Sequence, residues 1–268
     1  NLTTPESISN HKLLHHLDKL GCKKVIFEAS SIGIDQKRLY PIKFNVVAFT
    51  NLSIDHMDYH KTMISYKNSK SLLFSDYTSS YSTAVLNADS KYYNFFDKIC
   101  KNKKLQVLDY GKKATFLKII SIKKLDCFFE VSFLLKEKKF SKKIKSNSEF
   151  EIYNKLCSII MVFRENLKQK NFEILSKLKN PDGRLEEIFN KKKQKVFIDY
   201  AHTPDALSKV LSSLKKITSK KLILVFGCGG DRDKKKRNLM TKEALKYSDQ
   251  IIITDDNPRF EDPETIRK

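Results

Sequence analysis

The stretch Phe44–Lys70, FNVVAFTNLSIDHMDYHKTMISYKNSK, decides how the chain is read. FNVVAF is a short apolar run of strand length, stopped by the polar pair Thr50-Asn51. Asp55, His56, Asp58 and His60 follow within six positions, and helical spacing then carries Tyr66 and Lys70 onto one face, four residues apart. A buried strand that ends in polar residues and feeds a helix belongs to an α/β sheet, which places ligands beyond the C-terminal ends of its strands.

The same alternation extends outward. Upstream, Pro5–Leu20 reads as a helix with Ile8, Leu13, Leu14, Leu17 and Leu20 on its apolar positions and Gly21 as its stop. Lys24–Phe27 (KVIF) reads as a short buried strand ending in Glu28-Ala-Ser-Ser. Downstream, Tyr66–Phe74 is expected to be helical, and Thr83–Leu86 to be a strand ending in Asn87-Ala88-Asp89. From Leu105 to Ile144 the segments LQVLDY, ATFLKIISI and CFFEVSFLL carry no good helix signal, which predicts a β-rich insertion or edge sheet. Helices are expected again over Glu149–Arg164 and Phe172–Leu178.

Asn180-Pro181-Asp182-Gly183 is strong turn punctuation and predicts a boundary between domains 1–182 and 183–268. Beyond it, strands Lys195–Ile198, Leu222–Phe226 and Gln250–Thr254 alternate with helices Pro204–Ile217 and Arg237–Tyr247, a second, Rossmann-like unit. There is no internal repeat.

Composition narrows the function classes. A length of 268 residues suits one large or two ordinary domains, and 18 Phe with 11 Tyr supply a core despite 31% charged residues. No apolar run approaches the ~20 residues of a membrane span, and no signal peptide is visible. Five scattered Cys without a CxxC pair argue against a disulfide framework or zinc site and for a reducing, cytoplasmic setting. The net charge of +21 resembles a nucleic-acid signal, but only seven of the 52 basic residues are Arg, and the Lys are dispersed without any recognition motif. Diffuse Lys of this kind is a solvated surface, so neither nucleic acid nor membrane is expected as a partner.

Glycine and proline are scarce, and three of seven Gly fall at 227, 229 and 230. In FGCGGDRDKKKR a Gly-rich turn after a strand delivers Asp231, Arg232 and Asp233, an arrangement that can offer backbone N–H groups and a guanidinium fork to an anion. VIFEAS ends a strand in a carboxylate suited to Mg²⁺. Asp199-Tyr200-Ala201-His202-Thr203-Pro204-Asp205 joins a strand to a helix, and Asp255-Asp256-Asn257-Pro258-Arg259 ends another strand. Each motif alone is as readily a turn or a cap.

Together they resemble one family, the Mur ligases, ATP-dependent amide-bond ligases of peptidoglycan synthesis. The resemblance runs through nearly the whole chain: NLTTPES, EASSIGIDQKRL, FTNLSIDHMDYHKT, DYAHTPDAL, FGCGGDRDKKKR and TDDNPRFEDPE, in family order. It implies an α/β fold in which a central ATPase-type domain with a β-rich part precedes a Rossmann-like C-terminal domain. Within the family, the match is to the branch that adds meso-diaminopimelate to a UDP-muramoyl dipeptide through an acyl phosphate made from ATP. The resemblance implies that Thr3, Thr4, Ser30, Gln36 and Arg38 hold the UDP-muramoyl dipeptide, and that Glu28 and His56 serve Mg²⁺. Lys70 matches a lysine that is carbamylated in the family, whose added carboxylate supports a second Mg²⁺. Asn154, Arg184 and Asp199 fall on the ATP site, and Arg232, Asp256, Asn257 and Arg259 on the incoming amino acid.

The chain departs from the family pattern at Ile32, where SSH becomes Ser30-Ser31-Ile32, at Leu2, and at Glu151, which replaces the first Asn of a GxFNxxN stretch. No GxxxxGK[ST] occurs in these 268 residues. The expectation is therefore a partial, monomeric ligase that does not turn over ATP by itself. A folylpolyglutamate-synthase-like ligase is the neighbouring alternative, and a non-catalytic basic binding protein on the same scaffold the distant one.

Overall fold

A computed structural model describes the chain except residues 1–2, 126–127, 192–193 and 232. Six strands form one sheet in sequence order: β1 (Phe44–Phe49), β2 (Thr78–Asn87), β3 (Gln106–Gly111), β4 (Leu117–Leu125), β5 (Phe128–Leu135) and β6 (Lys138–Lys145). Neighbours from β1 to β4 are parallel, and β4–β5–β6 is an antiparallel meander. The β-rich segment is thus no separate insertion. It continues the main sheet through the pairing of Tyr110 with Leu117.

The strand period of two feeds two cores, one on each face. Along β2, Ala84 and Leu86 are buried against Val47, Phe49, Phe74 and Phe96, whereas Val85 packs with Leu108, Ile152, Leu156 and Ile160. Phe74 and Phe96 come from helices α4 (Met63–Ser75) and α5 (Tyr93–Asn102), and the isoleucines from α6 (Glu149–Phe163). Phe49 stacks on the fully buried Phe96 at 3.9 Å, a pair whose side chains each contribute roughly 1.5–3 kcal/mol by burial. Remaining helices of this part are α1 (Ser7–Lys19), α2 (Ser31–Asp35) and α3 (Met57–His60).

Two expectations near the start need correction. Lys24–Phe27 is no strand: Ile26 is 80% exposed, and among the described residues no strand lies beyond β1 to pair with it. Helix α1 forms, but Ile8 is 72% exposed and Asn10 is its only buried residue. Its attachment is polar: the Asn10 amide donates to the Pro5 and Arg38 carbonyls, and the Ser7 hydroxyl donates to Tyr40 O.

After a 3₁₀ segment (Gln169–Ser176) come β7 (Glu186–Lys191), β8 (Gln194–Ile198), α7 (Pro204–Lys215), β9 (Ile223–Phe226), α8 (Lys235–Tyr247), β10 (Gln250–Ile253) and α9 (Pro263–Arg267). Parallel β9 and β10 pack with α7 and α8 around Leu207, Leu211, Met240 and Ala244, which is the expected strand–helix alternation. β8 departs from it. It folds back on β7, a strand too charged (EEIFNK) to read from sequence, as a separate antiparallel hairpin. Among the described residues, no helix is long and apolar enough to cross a membrane.

Candidate functional site

The C-terminal ends of the strands open onto a cavity of about 1180 Å³ between the six-stranded sheet and the segment after residue 183. Thr50 and Asn51 beyond β1 and Asn87 and Asp89 at the end of β2 line one side. Glu28, Asn154, Arg184 and Asp199 line it as well, so four of the residues singled out from the sequence converge on one space. Thr50 and Asn51 also line a second cavity of about 80 Å³, walled by Lys70, Phe49 and Phe74.

Lys70 carries the clearest perturbation. Helix α4 starts at the Thr62 cap, which accepts from Ser65 N at 3.1 Å, and it carries Lys70 one turn beyond Tyr66, with the ammonium 5.5 Å from the Tyr66 ring centre. Burial pushes its pKa down, and the Glu28 and Asp55 carboxylates pull it back only in part.

Asp55 organises the neighbouring loop. One oxygen accepts from His56 N at 2.9 Å, fixing His56 in a left-handed backbone conformation (φ 55°). The other lies 3.5 Å from His56 Nε2 and 3.2 Å from His202 Nε2. His202 Nδ1 meets Tyr200 O at 3.0 Å. A carbonyl and a carboxylate only accept, so this pair of contacts favours a ring that donates from both nitrogens, the charged form. Its pKa is raised accordingly, chiefly by the hydrogen bond to Asp55. Burial pushes the Asp55 carboxyl up, but His202 and His56 outweigh this and hold it at about 2. Burial also pushes the His56 imidazole down. His60 is buried beside them, stacked on Tyr66 at 5.0 Å and bonded to Ser31 Oγ at 2.9 Å.

The second part is positioned by its caps. Thr203 caps α7 by accepting from Ala206 N at 3.3 Å with Pro204 next to it, which fixes the turn bearing Asp199 and His202. Asp199 accepts from Leu185 N at 2.7 Å, and burial raises its pKa. The Arg184 guanidinium lies over the Tyr200 ring at 5.1 Å.

Residues expected to hold the muramoyl nucleotide form a mutual net. Thr4 Oγ1 donates to Glu28 O and accepts from Ser30 N, both at 2.9 Å, while Ser30 Oγ caps α2 by accepting from Gly33 N. Arg38 donates to Thr4 O at 3.2 Å and to Gln36 Oε1. Gly33 is required here, because a Cβ would stand 2.6 Å from Thr4 Cβ. Thr3 is exposed beside this net.

Asp256, Asn257 and Arg259 line neither cavity. They form a loop folded onto the Gly-rich turn: Gly230 N donates to Asn257 O at 2.9 Å, and Arg259 donates to Gly230 O. A Cβ on Gly230 would fall 1.8 Å from Pro258 O, so no other residue fits. Arg232 lies outside the described residues. Sequence reasoning missed Arg237, hidden in a KKKR run, which grips Glu261 through both terminal nitrogens at 2.9–3.1 Å. The Glu261 carboxyl is held down at about 2, chiefly by Arg237, from an ordinary 4.5. A depressed carboxylate stabilises the fold above its unfolded pKa, and that contribution disappears as pH falls from about 4.5 toward 2. The expected result is that Glu261→Gln is less stable than the parent at pH 6 but that the gap closes in acid; a gap independent of pH in urea unfolding would exclude this role.

Polar residues from both α/β parts gather around one cavity of ligand size, and comparison with known proteins says to which family this architecture belongs. Residues 1–162 match the Mur ligase middle domain, and residues 183–268 the Mur ligase glutamate ligase domain. The chain belongs to the Mur ligase family. It is 42% identical over 266 residues to the UDP-N-acetylmuramoyl-L-alanyl-D-glutamate–2,6-diaminopimelate ligase of Aquifex aeolicus, covering 98% of this chain and 53% of that protein. The same-named protein of Anaplasma marginale is 40% identical, with 99% and 55% covered. A solved structure of a ligase of that name superimposes with a TM-score of 0.69 at 32% identity, covering 98% of this chain and 54% of that one. The chain spans about half the length of the curated relatives it matches. A folylpolyglutamate synthase from Mycobacterium tuberculosis, at 19% identity and a TM-score of 0.66, shares the fold.

Proposed function

We propose that this chain is part of a cytoplasmic, monomeric ligase that adds meso-diaminopimelate to UDP-N-acetylmuramoyl-L-alanyl-D-glutamate at the expense of ATP, with its two domains meeting at 182/183. The observation that carries the reading is the convergence of Glu28, Asn154, Arg184 and Asp199 on one cavity beside the depressed amine of Lys70. The γ-phosphate of ATP passes to the D-glutamate side-chain carboxylate, and an amine of diaminopimelate then displaces phosphate from the acyl phosphate to give the amide. Such transfers rest on positioning and charge neutralisation rather than covalent help from the protein. Asn154, Arg184 and Asp199 hold the nucleotide, and Thr3, Thr4, Ser30, Gln36 and Arg38 shape the seat of the muramoyl dipeptide. Arg232, Asp256, Asn257 and Arg259 receive the amino acid.

Among the described residues no three His, Cys, Asp or Glu side chains cluster as a ready-made metal site. Glu28 and His56 are short of one carboxylate, and a carbamate on Lys70 supplies it; the donor set then suits Mg²⁺, with phosphate oxygens and water completing the shell. Bound there, Mg²⁺ neutralises phosphate charge.

The test is ATP binding to the 268-residue chain by calorimetry. Arg184→Ala is expected to weaken binding about 10- to 150-fold, the equivalent of a charge-assisted hydrogen bond of roughly 1.5–3 kcal/mol. Without a GxxxxGK[ST] loop in the chain, phosphate release stays at background. Equal ATP affinities for parent and variant would remove the nucleotide from this cavity.

A further inference from the structure

We propose that His202 is a positioning residue that the C-terminal part lends to the first: it acts through Asp55 to set the imidazole of His56. The inference rests on the site reading above for the importance of His56, and on three pieces of geometry for its content.

First, His202 is aimed. Its Nδ1 is engaged by the carbonyl two residues back, Tyr200 O, at 3.0 Å, and the Thr203–Pro204 start of α7 follows directly. The ring therefore has one direction left, and its Nε2 meets Asp55 Oδ2 at 3.2 Å, across 147 residues of chain. Second, Asp55 faces both imidazoles with the same oxygen: Oδ2 is 3.2 Å from His202 Nε2 and 3.5 Å from His56 Nε2, while Oδ1 is taken by His56 N. Any rotation of the carboxylate that breaks one of these contacts changes the others. Third, although the His56 carbonyl accepts from Tyr59 N and His60 N, the His56 ring has little else to hold it. The residue occupies a left-handed backbone conformation, its side chain caps nothing, and its ring touches Tyr66 only edge-on at 5.9 Å between centres. Among the described residues of its own part, then, Asp55 is the polar contact of the His56 ring, and His202 is what holds the Asp55 oxygen that makes it. A non-glycine residue held at positive φ needs such over-determination. On this account the loop after β1 takes its working geometry only when the C-terminal part is docked, and the hydrogen bond conveys that docking to the Lys70 side of the cavity.

The experiment follows the imidazole nitrogen resonances of His56 and His202 by NMR in the full 268-residue chain, free of nucleotide and metal. His202→Ala should shift the His56 signals while leaving the backbone amide signals of β9 and β10 in place. His202→Gln, whose side-chain amide can still donate to Asp55, should return them close to the parent positions. In an Asp55→Asn background, His202→Ala should move His56 no further, because the intermediary is already broken. His56 signals that do not respond to His202→Ala, or that shift equally with and without Asp55, overturn the proposal. Should His202→Ala unfold the C-terminal part, Asp55→Asn decides alone: it lies in the other part and must shift the His202 ring signals. None of these readouts involves ATP, so failure of nucleotide binding would sink the ligase reading without touching this one.

Discussion

Lys70→Ala is expected to abolish the proposed amide-bond formation in the full-length protein, a loss of at least about 10²–10³-fold in kcat, roughly what removing one preorganised charge-stabilising group costs. The fold is expected to survive, because Lys70 gives up no hydrogen bond or ion pair among the described residues, only a 5.5 Å contact with the face of Tyr66. Of 45 lysines most are solvated, and the difference at this one is its surroundings. Carbamate formation requires an uncharged amine attacking carbon dioxide, and burial against Phe49 and Phe74 beside a small cavity disfavours the ammonium. The carbamate so formed would add a second negative charge beside the Glu28 carboxylate, where the ammonium of Lys70 would oppose a cation. Short carboxylic acids added to Lys70→Ala should restore part of the rate, since they can occupy the vacated space with the same functional group. Steady-state assays decide the matter: unchanged kcat in Lys70→Ala, with the same melting temperature, takes this residue out of the mechanism.

Arg259→Ala separates meso-diaminopimelate from L-lysine. These amino acids differ by one carboxylate at the far end of the side chain, and favouring the one that carries it requires a fixed cation. Arg259 is fixed. Its backbone is left-handed (φ 52°) after Pro258, and one terminal nitrogen is bonded to Gly230 O. The surface alternative, pairing with Glu261, is closed because Glu261 is gripped by Arg237 and approached by Lys234 at 3.3 Å. Arg259 is exposed here; if the bound amino acid desolvates the pair, truncating one partner costs roughly 2–5 kcal/mol, about 30- to several-thousand-fold in kcat/KM. The variant also releases the Gly-rich turn, and lysine is the control for that: loosening the turn slows both substrates, whereas losing the cation slows only diaminopimelate. Equal losses with both would assign Arg259 to holding the loop.

The sequence revealed what is locally encoded. FNVVAF, the cap-and-proline start HTP and the Gly-rich turn after β9 each carry their own physical signal, and the elements they predict are where the structure has them. Lys24–Phe27 misled because apolar composition reports a wish for burial and says nothing of a partner to pair with. Glu186–Lys191 was missed for the opposite reason: its strand is made by pairing with β8, against its charged composition. Asp199 was singled out at the end of a strand, and Glu28, Asn154 and Arg184 through the family motifs; the structure brings the four to one cavity. The Asp55–His202 bond was not legible, since nothing within either segment signals that two loops 147 residues apart will meet. Arg237 lay unseen among basic neighbours until its carboxylate partner was placed opposite it.

The last strand of the sheet gives the excess of lysine a purpose other than catalysis. Among the described strands β6 pairs with β5 alone, so its outer rim is the edge that a further strand would have to approach. Five of its eight residues are lysine, at 138, 139, 142, 143 and 145, and among the described residues only Lys142 is ion-paired, with Glu173. A second molecule offering the same rim would bring a matching row of cations against it, and like charges would repel before any ladder could close. The charge that resembled a nucleic-acid signal would here oppose the edge-to-edge pairing of two such sheets.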